Sequence, residues 1–112
     1  MSITDCNDRR QRRPDRRAHE LFDFDAGGRR FTAGIGRFDN GRLAEIFISD
    51  SKSGSQADTN ARDASVVASI ALQYGVPLDV LRKALMRDAR GAPCGPLAVA
   101  LDMVAEMEGA AQ

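Results

Sequence analysis

The chemistry this 112-residue chain can offer is concentrated in Lys52-Ser53-Gly54-Ser55. One cation, two hydroxyls and a run of backbone N–H groups opened by glycine could converge there on an anion. The stretch leaves an apolar strand pattern and enters a helical one, so these groups gather at a helix start. A plain structural turn uses the same residues, and the spacing is not that of a Walker-type phosphate loop. Contact with an anion or nucleotide, or with a docking partner, is therefore expected at Lys52, Ser53, Gly54 and Ser55.

The remaining reactive residues are scattered. His19 is the one histidine, and no Ser or Cys stands near it, so a histidine-activated nucleophile would have to be assembled from afar. It is expected as a surface residue. Cys94 precedes a predicted helix start, where the helix dipole favours a thiolate, and is the candidate reactive thiol; the alternative is a small apolar residue beside a cap. Cys6 and Cys94 form no Cys-x-x-Cys pair, and with a single histidine they give no metal-ligand spacing. No catalytic and no metal-binding residues are expected. Gly34-Ile35-Gly36 lies inside a strand pattern with no helix after it, which predicts a bulge or a close approach rather than a dinucleotide fingerprint.

Charge adds a second feature. The chain has 16 Lys+Arg against 16 Asp+Glu, but residues 1 to 20 carry a net +2 and the rest is mildly acidic. Arg9, Arg10, Arg12, Arg13, Arg16 and Arg17 are broken only by Gln11, Pro14 and Asp15, with no apolar residue before Ala18. Residues 1 to 18 are thus expected to be a flexible arm, either solvated or giving long-range attraction to a phosphate-bearing or acidic partner. Formal neutrality argues against a strongly basic nucleic-acid binder. A helix-turn-helix spacing is nevertheless present at Ala71, Gly75 and Leu81, with Arg82, Lys83 and Arg87 available for phosphates, and DNA binding is the alternative reading. Any short helix corner needs the same small and apolar residues.

The elements that must position these residues follow from periodicity. Phe22 and Phe24, then Phe31, Ala33 and Ile35, then Ala44, Ile46 and Ile48 alternate as three strands, joined by turns at Gly27-Gly28 and Asp39-Asn40-Gly41. The third strand is apolar on both faces, with Leu43 and Phe47 opposite, and belongs in mid-sheet or under a helix. Helical spacing follows from about residue 61 to 74, with Ala64, Val67, Ala68, Ile70 and Ala71 as the apolar face and Asp58, Thr59 or Asn60 as cap. Gly75 and Pro77 stop and restart the helix. Leu78, Leu81, Ala84 and Leu85 stripe a second helix ending near Gly91, and Leu97, Leu101 and Val104 a third, from Gly95-Pro96 to about Met107. The expected fold class is α+β, a small antiparallel sheet of about three strands followed by three helices packed on it. Residues 19 to 108 form its single domain and 109 to 112 a tail. Two distant cysteines and the lack of an apolar run near the roughly 18 residues of a membrane span lead to an expectation of a cytoplasmic protein with no membrane partner.

Four stretches, in order, carry a family resemblance. Arg13-Pro14-Asp15-Arg16-Arg17, the strand Asp39-Asn40-Gly41-Arg42-Leu43-Ala44-Glu45-Ile46-Phe47-Ile48, the loop Lys52-Ser53-Gly54-Ser55 and the corner Ala68-Ser69-Ile70-Ala71-Leu72-Gln73-Tyr74-Gly75-Val76-Pro77-Leu78 resemble the C-terminal region of adenosylcobalamin-dependent (class II) ribonucleotide reductases. Modules of this TSCPD type also occur as small stand-alone proteins. The resemblance covers about residues 12 to 104. The signature tetrapeptide naming the type is not present as such, Pro93-Cys94-Gly95-Pro96 being its nearest match.

The resemblance implies an accessory or regulatory binding module of deoxyribonucleotide metabolism and DNA synthesis. The family's radical chemistry runs in a large barrel with its own cysteines and cobalamin site, which 112 residues do not hold. The module is therefore expected to be non-catalytic alone and to carry no cofactor, adenosylcobalamin belonging to the catalytic domain. Its implied partners are a reductase catalytic subunit or a nucleotide. Independently, a free sheet edge would allow a homodimer.

Overall fold

A computed structural model of the chain describes residues 20–52 and 54–110. The Arg-rich segment, Cys6, His19 and Ser53 lie outside the described residues. Three strands, β1 (Glu20–Ala26), β2 (Arg29–Arg37) and β3 (Leu43–Asp50), form an antiparallel meander in that order. Three helices follow, α1 (Gln56–Gln73), α2 (Leu78–Ala84) and α3 (Pro96–Ala110). The expected α+β class is the observed one. Alternation along the strands puts Phe24, Phe31, Ala33, Ile35, Ile46 and Ile48 on one face, where they meet Ala100, Leu101 and Val104 of α3 in a single core.

The glycine-rich part of β2 is explained by both of its expected causes. A Cβ on Gly34 would lie 3.1 Å from Leu21 Cδ2, so the cross-strand leucine rests on bare backbone, and the register slips at Gly36/Arg37 as a bulge. The β1–β2 turn needs positive φ at two successive positions, and Gly27 and Gly28 provide it at 59° and 78°.

The helix boundaries differ from expectation in two places. α1 begins at Gln56, capped by Ser55, whose Oγ accepts the Asp58 N–H at 3.0 Å. Asp58, Thr59 and Asn60 are inside the helix rather than at its cap. α2 stops at Ala84 instead of near Gly91 because Asp88 builds a turn there. Its Oδ1 accepts the N–H groups of Arg90 and Ala92 at 2.8 and 3.0 Å, and Arg87 bridges to Pro93 as a short antiparallel pair. At the α1–α2 corner Val76 N bonds to Ala71 O and Gly75 N to Leu72 O, both at 3.0 Å. This is the Schellman arrangement, and Gly75 takes the left-handed position at φ 97°. Pro77 stands at the N-cap of α2 rather than at its first turn.

The face of α1 is the main correction. Of Ala64, Val67, Ala68, Ile70 and Ala71, only Ala68 is fully buried, while Val67 is 68% exposed. The buried residues are Asp58, Ala61, Ser65, Ala68, Ser69, Leu72 and Gln73. α1 runs antiparallel along the outer edge of β3, where the strand's backbone groups need partners, and its polar side chains supply them. Ser69 Oγ accepts from Ile46 N at 2.9 Å and donates to Ile46 O at 3.0 Å. Ser65 Oγ accepts from Ile48 N, Asp58 Oδ1 accepts from Asp50 N, and Gln73 Nε2 donates to Ala44 O. The two elements are commensurate. From residue 44 to 50 a strand advances about 20 Å, and from 58 to 73 a helix about 22 Å. One edge of the sheet is thereby closed by side chains, and a strand-pairing homodimer would have to use β1.

Candidate functional site

The loop from Ser51 to Ser55 hangs between two buried carboxylates. Asp50, at the end of β3, accepts from Lys52 N at 3.1 Å, from Ser55 Oγ at 3.1 Å and from Arg29 Nε at 2.7 Å, and the Arg29 Nη2 joins the same oxygen. Asp58, in the first turn of α1, accepts from Asp50 N at 3.0 Å, from Gly54 N at 3.3 Å and from Arg62 Nε. Burial pushes the Asp50 carboxyl up, but the hydrogen bonds from Lys52 N–H, Arg29 and Ser55 outweigh it and hold its pKa below the usual range. Asp58 is held low by the Asp50 N–H first, against burial, and then by Arg62 and the Gly54 N–H. The N–H groups of Lys52 and Gly54 do point at anions, and these anions are the chain's own side chains. Lys52 is exposed.

Asp50 has no role in the sequence reading, and Asp58 has only that of a candidate helix cap. The spacing Ser55-x-x-Asp58 is a capping-box signal and marks both the helix start and the second carboxylate.

Of the three cations of the helix-turn-helix reading, two are engaged within the domain. Arg87 donates to Asp102 at 2.7 and 2.8 Å and Arg82 Nε donates to the same carboxylate at 2.9 Å, with Asp79 as its second acid. A seven-residue α2 with these cations already paired is a poor groove reader. The Arg87 hydrogen bond, opposed by burial and helped by Arg82, brings the Asp102 carboxyl down to about 2. Since this lies below the unfolded value of about 3.9, the stabilisation is complete above roughly pH 5 and is lost as pH falls from about 4 towards 2. Urea unfolding of the parent and of Asp102→Asn is expected to differ by on the order of 1 kcal/mol at pH 7, discounted for partial exposure, with the gap closing below pH 4. A gap unchanged down to pH 3 would contradict this assignment.

Cys94 stands where expected, exposed and two residues before α3, with its N–H donating to Met86 O at 3.1 Å. Among the described residues no group of three His, Cys, Asp or Glu is arranged to hold a metal ion, and no helix is long and apolar enough to cross a membrane.

A separate opening lies at the other end of α1, about 27 Å from the loop by the length of an 18-residue helix. It is an open groove of about 1030 Å³ between the β2–β3 turn, the α1–α2 corner and the end of α3. Arg37, Arg42 and Arg82 reach it from three different elements, over a floor that includes Leu43, Leu72 and Leu78. Sequence reading did not find it, because its residues come together only through the long-range packing of turn, corner and helix end.

Residues 7–107, which include the loop and all of the groove lining except Glu108 and Gly109, match the family model described as TSCPD domain. The chain belongs to the TSCPD domain family. The TSCPD domain has curated relatives named vitamin B12-dependent ribonucleotide reductase. The one from Bradyrhizobium diazoefficiens is 36% identical over 88 residues, 79% of this chain and 7% of that protein. That from Rhodopirellula baltica is 37% identical over 73 residues, 65% of this chain and 7% of its own length. That from Agrobacterium fabrum is 34% identical over 70 residues, 62% and 6% respectively. The TSCPD domain thus spans only about 7% of the length of the relatives it matches. No solved structure matches it.

Proposed function

We propose that the chain is an accessory or regulatory binding module of ribonucleotide reduction, not catalytic alone, which docks on a reductase catalytic chain or contacts a nucleotide through Lys52, Ser53, Gly54 and Ser55. The observation that carries this reading is the match to one small portion of proteins named as reductases, with the rest of their length unaccounted for in this chain. The loop supports it in a restricted way. Its Lys52 and Gly54 N–H groups are used by Asp50 and Asp58, which leaves the cation of the exposed Lys52 as what it offers to a carboxylate or phosphate on a partner.

The vitamin B12 of the relatives' names is assigned to the catalytic chain in this reading. The groove lining here contains neither histidine nor cysteine, a donor set that does not fit the cofactor's metal.

A tagged chain is expected to retain the reductase catalytic chain from an extract of its own cell, identified by mass spectrometry, and Lys52→Ala to retain several-fold less. Calorimetry with ribonucleoside di- and triphosphates tests the ligand half. If neither the catalytic chain nor any of these nucleotides binds, the reading fails.

A further inference from the structure

The groove holds a cation in a different state from the others around it. Arg37 is saturated by Glu108 at 2.9 Å, Glu20 at 3.4 Å and Gly41 O at 3.0 Å. Arg82 is taken up by Asp102 and Asp79. Arg42 has no carboxylate partner among the described residues. Its guanidinium is instead fixed in place from two sides. It lies 5.3 Å over the Phe38 ring, and Nη2 donates to Leu72 O at 3.2 Å. The turn that carries it is rigid, with Phe38 N bonded to Arg42 O at 2.8 Å, Gly41 N to Phe38 O at 2.9 Å, and Arg42 N to Asn40 Oδ1 at 3.0 Å.

A planar cation held by ring stacking and one hydrogen bond keeps further N–H donors in a fixed fork, the geometry suited to a phosphate or carboxylate. Next to it the wall is apolar, formed by Val76, Pro77 and Leu78. The remaining charges limit what can enter. Glu20, Asp79 and Glu108 also line the groove, so a ligand bearing several negative charges would meet three carboxylates, while one bearing a single phosphate meets one uncompensated guanidinium.

From this arrangement we propose that the groove is a second binding site, for a singly phosphorylated small molecule with a flat, apolar body, such as a nucleoside monophosphate. The phosphate pairs with Arg42 and the body lies against Val76, Pro77 and Leu78. The site is separate from the Lys52 loop, at the opposite end of α1, and stands or falls independently of it.

Amide chemical-shift titrations of the full chain with AMP, UMP, ATP and adenosine provide the test. AMP or UMP is expected to shift the amides of Gly41, Arg42, Gly75 and Val76 saturably, and to bind more tightly than adenosine and than ATP. Arg42→Ala should weaken the monophosphate about tenfold, the worth of one charge-assisted hydrogen-bond pair. Arg42→Lys should recover part of that, and Lys83→Ala, at an exposed cation outside the groove lining, should leave it unchanged. Arg42 is exposed, so an unaltered thermal midpoint in Arg42→Ala separates lost binding from lost folding. The proposal is overturned if neither monophosphate moves the groove amides, if Arg42→Ala binds as the parent does, or if ATP moves the groove amides at lower concentration than AMP does.

Discussion

Ser69→Ala is expected to destabilise the domain by about 2–4 kcal/mol, although it removes a single oxygen atom. That oxygen serves both backbone groups of Ile46, accepting its N–H and donating to its carbonyl, in a position 5% exposed where water has little access. Alanine leaves a buried donor and a buried acceptor unpaired at once, each costing roughly 1–3 kcal/mol, with partial relief if the helix shifts or water enters. Ser65→Ala should cost about half as much, since Ser65 Oγ serves one strand amide, that of Ile48, and otherwise bonds back to Ala61 O in its own helix. Urea unfolding checks both. The midpoint should fall most for Ser69→Ala with an unchanged slope, because the surface exposed on unfolding is nearly the same. A Ser69→Ala variant within about 0.5 kcal/mol of the parent would mean that α1 does not close the β3 edge through this hydroxyl.

The same edge explains which parts of the architecture were legible in the sequence. The strands were, because Phe31, Ala33 and Ile35 and then Ala44, Ile46 and Ile48 follow the side-chain period of a half-buried sheet, and their turns carry the glycines that such turns require. The third strand, whose two apolar faces suggest mid-sheet or a place under a helix, is instead an edge strand, with α1 along its outer edge and Phe47 half exposed. The orientation of α1 was not legible, because the rule that apolar residues mark the inner face presumes a partner made of side chains. Here the partner is a strand edge made of backbone. Serine, glutamine and aspartate at positions 58, 65, 69 and 73 are the inner face for that reason, and Val67 is displaced outward. The loop was legible as a cluster of donors, but its acceptors, Asp50 and Asp58, sit at the ends of neighbouring elements and meet it only after folding. The groove was not legible at all, since Arg37, Arg42 and Arg82 are brought together by contacts distant in sequence.

α1 consequently links the two candidate binding regions through one continuous, edge-anchored helix. Asp58 ties its first turn to the 51–55 loop, and Leu72 O ties its last turn to Arg42. Neither end can move far without breaking hydrogen bonds to β3, so both regions are held in fixed relation to the sheet rather than on loose connections.

Leu101→Ala should be the most damaging single truncation of an apolar side chain in α3, at about 2–5 kcal/mol, whereas Val67→Ala in α1 should change stability by no more than about 0.5 kcal/mol. Leu101 has no exposed surface and lies with Ala100 and Val104 against the inner face of the sheet, so its loss leaves a cavity bounded by Ile35, Ile46 and Ile48 or forces these layers to collapse. Val67 is 68% exposed, and removing its methyl groups takes almost nothing out of the core. The pair is informative because a reading from hydrophobic spacing alone places both residues inside. Calorimetric or denaturant unfolding of the two variants decides it. A costly Val67→Ala with a tolerated Leu101→Ala would require α1 to be rotated about its axis, turning Ser65 and Ser69 away from β3 and leaving the strand edge open.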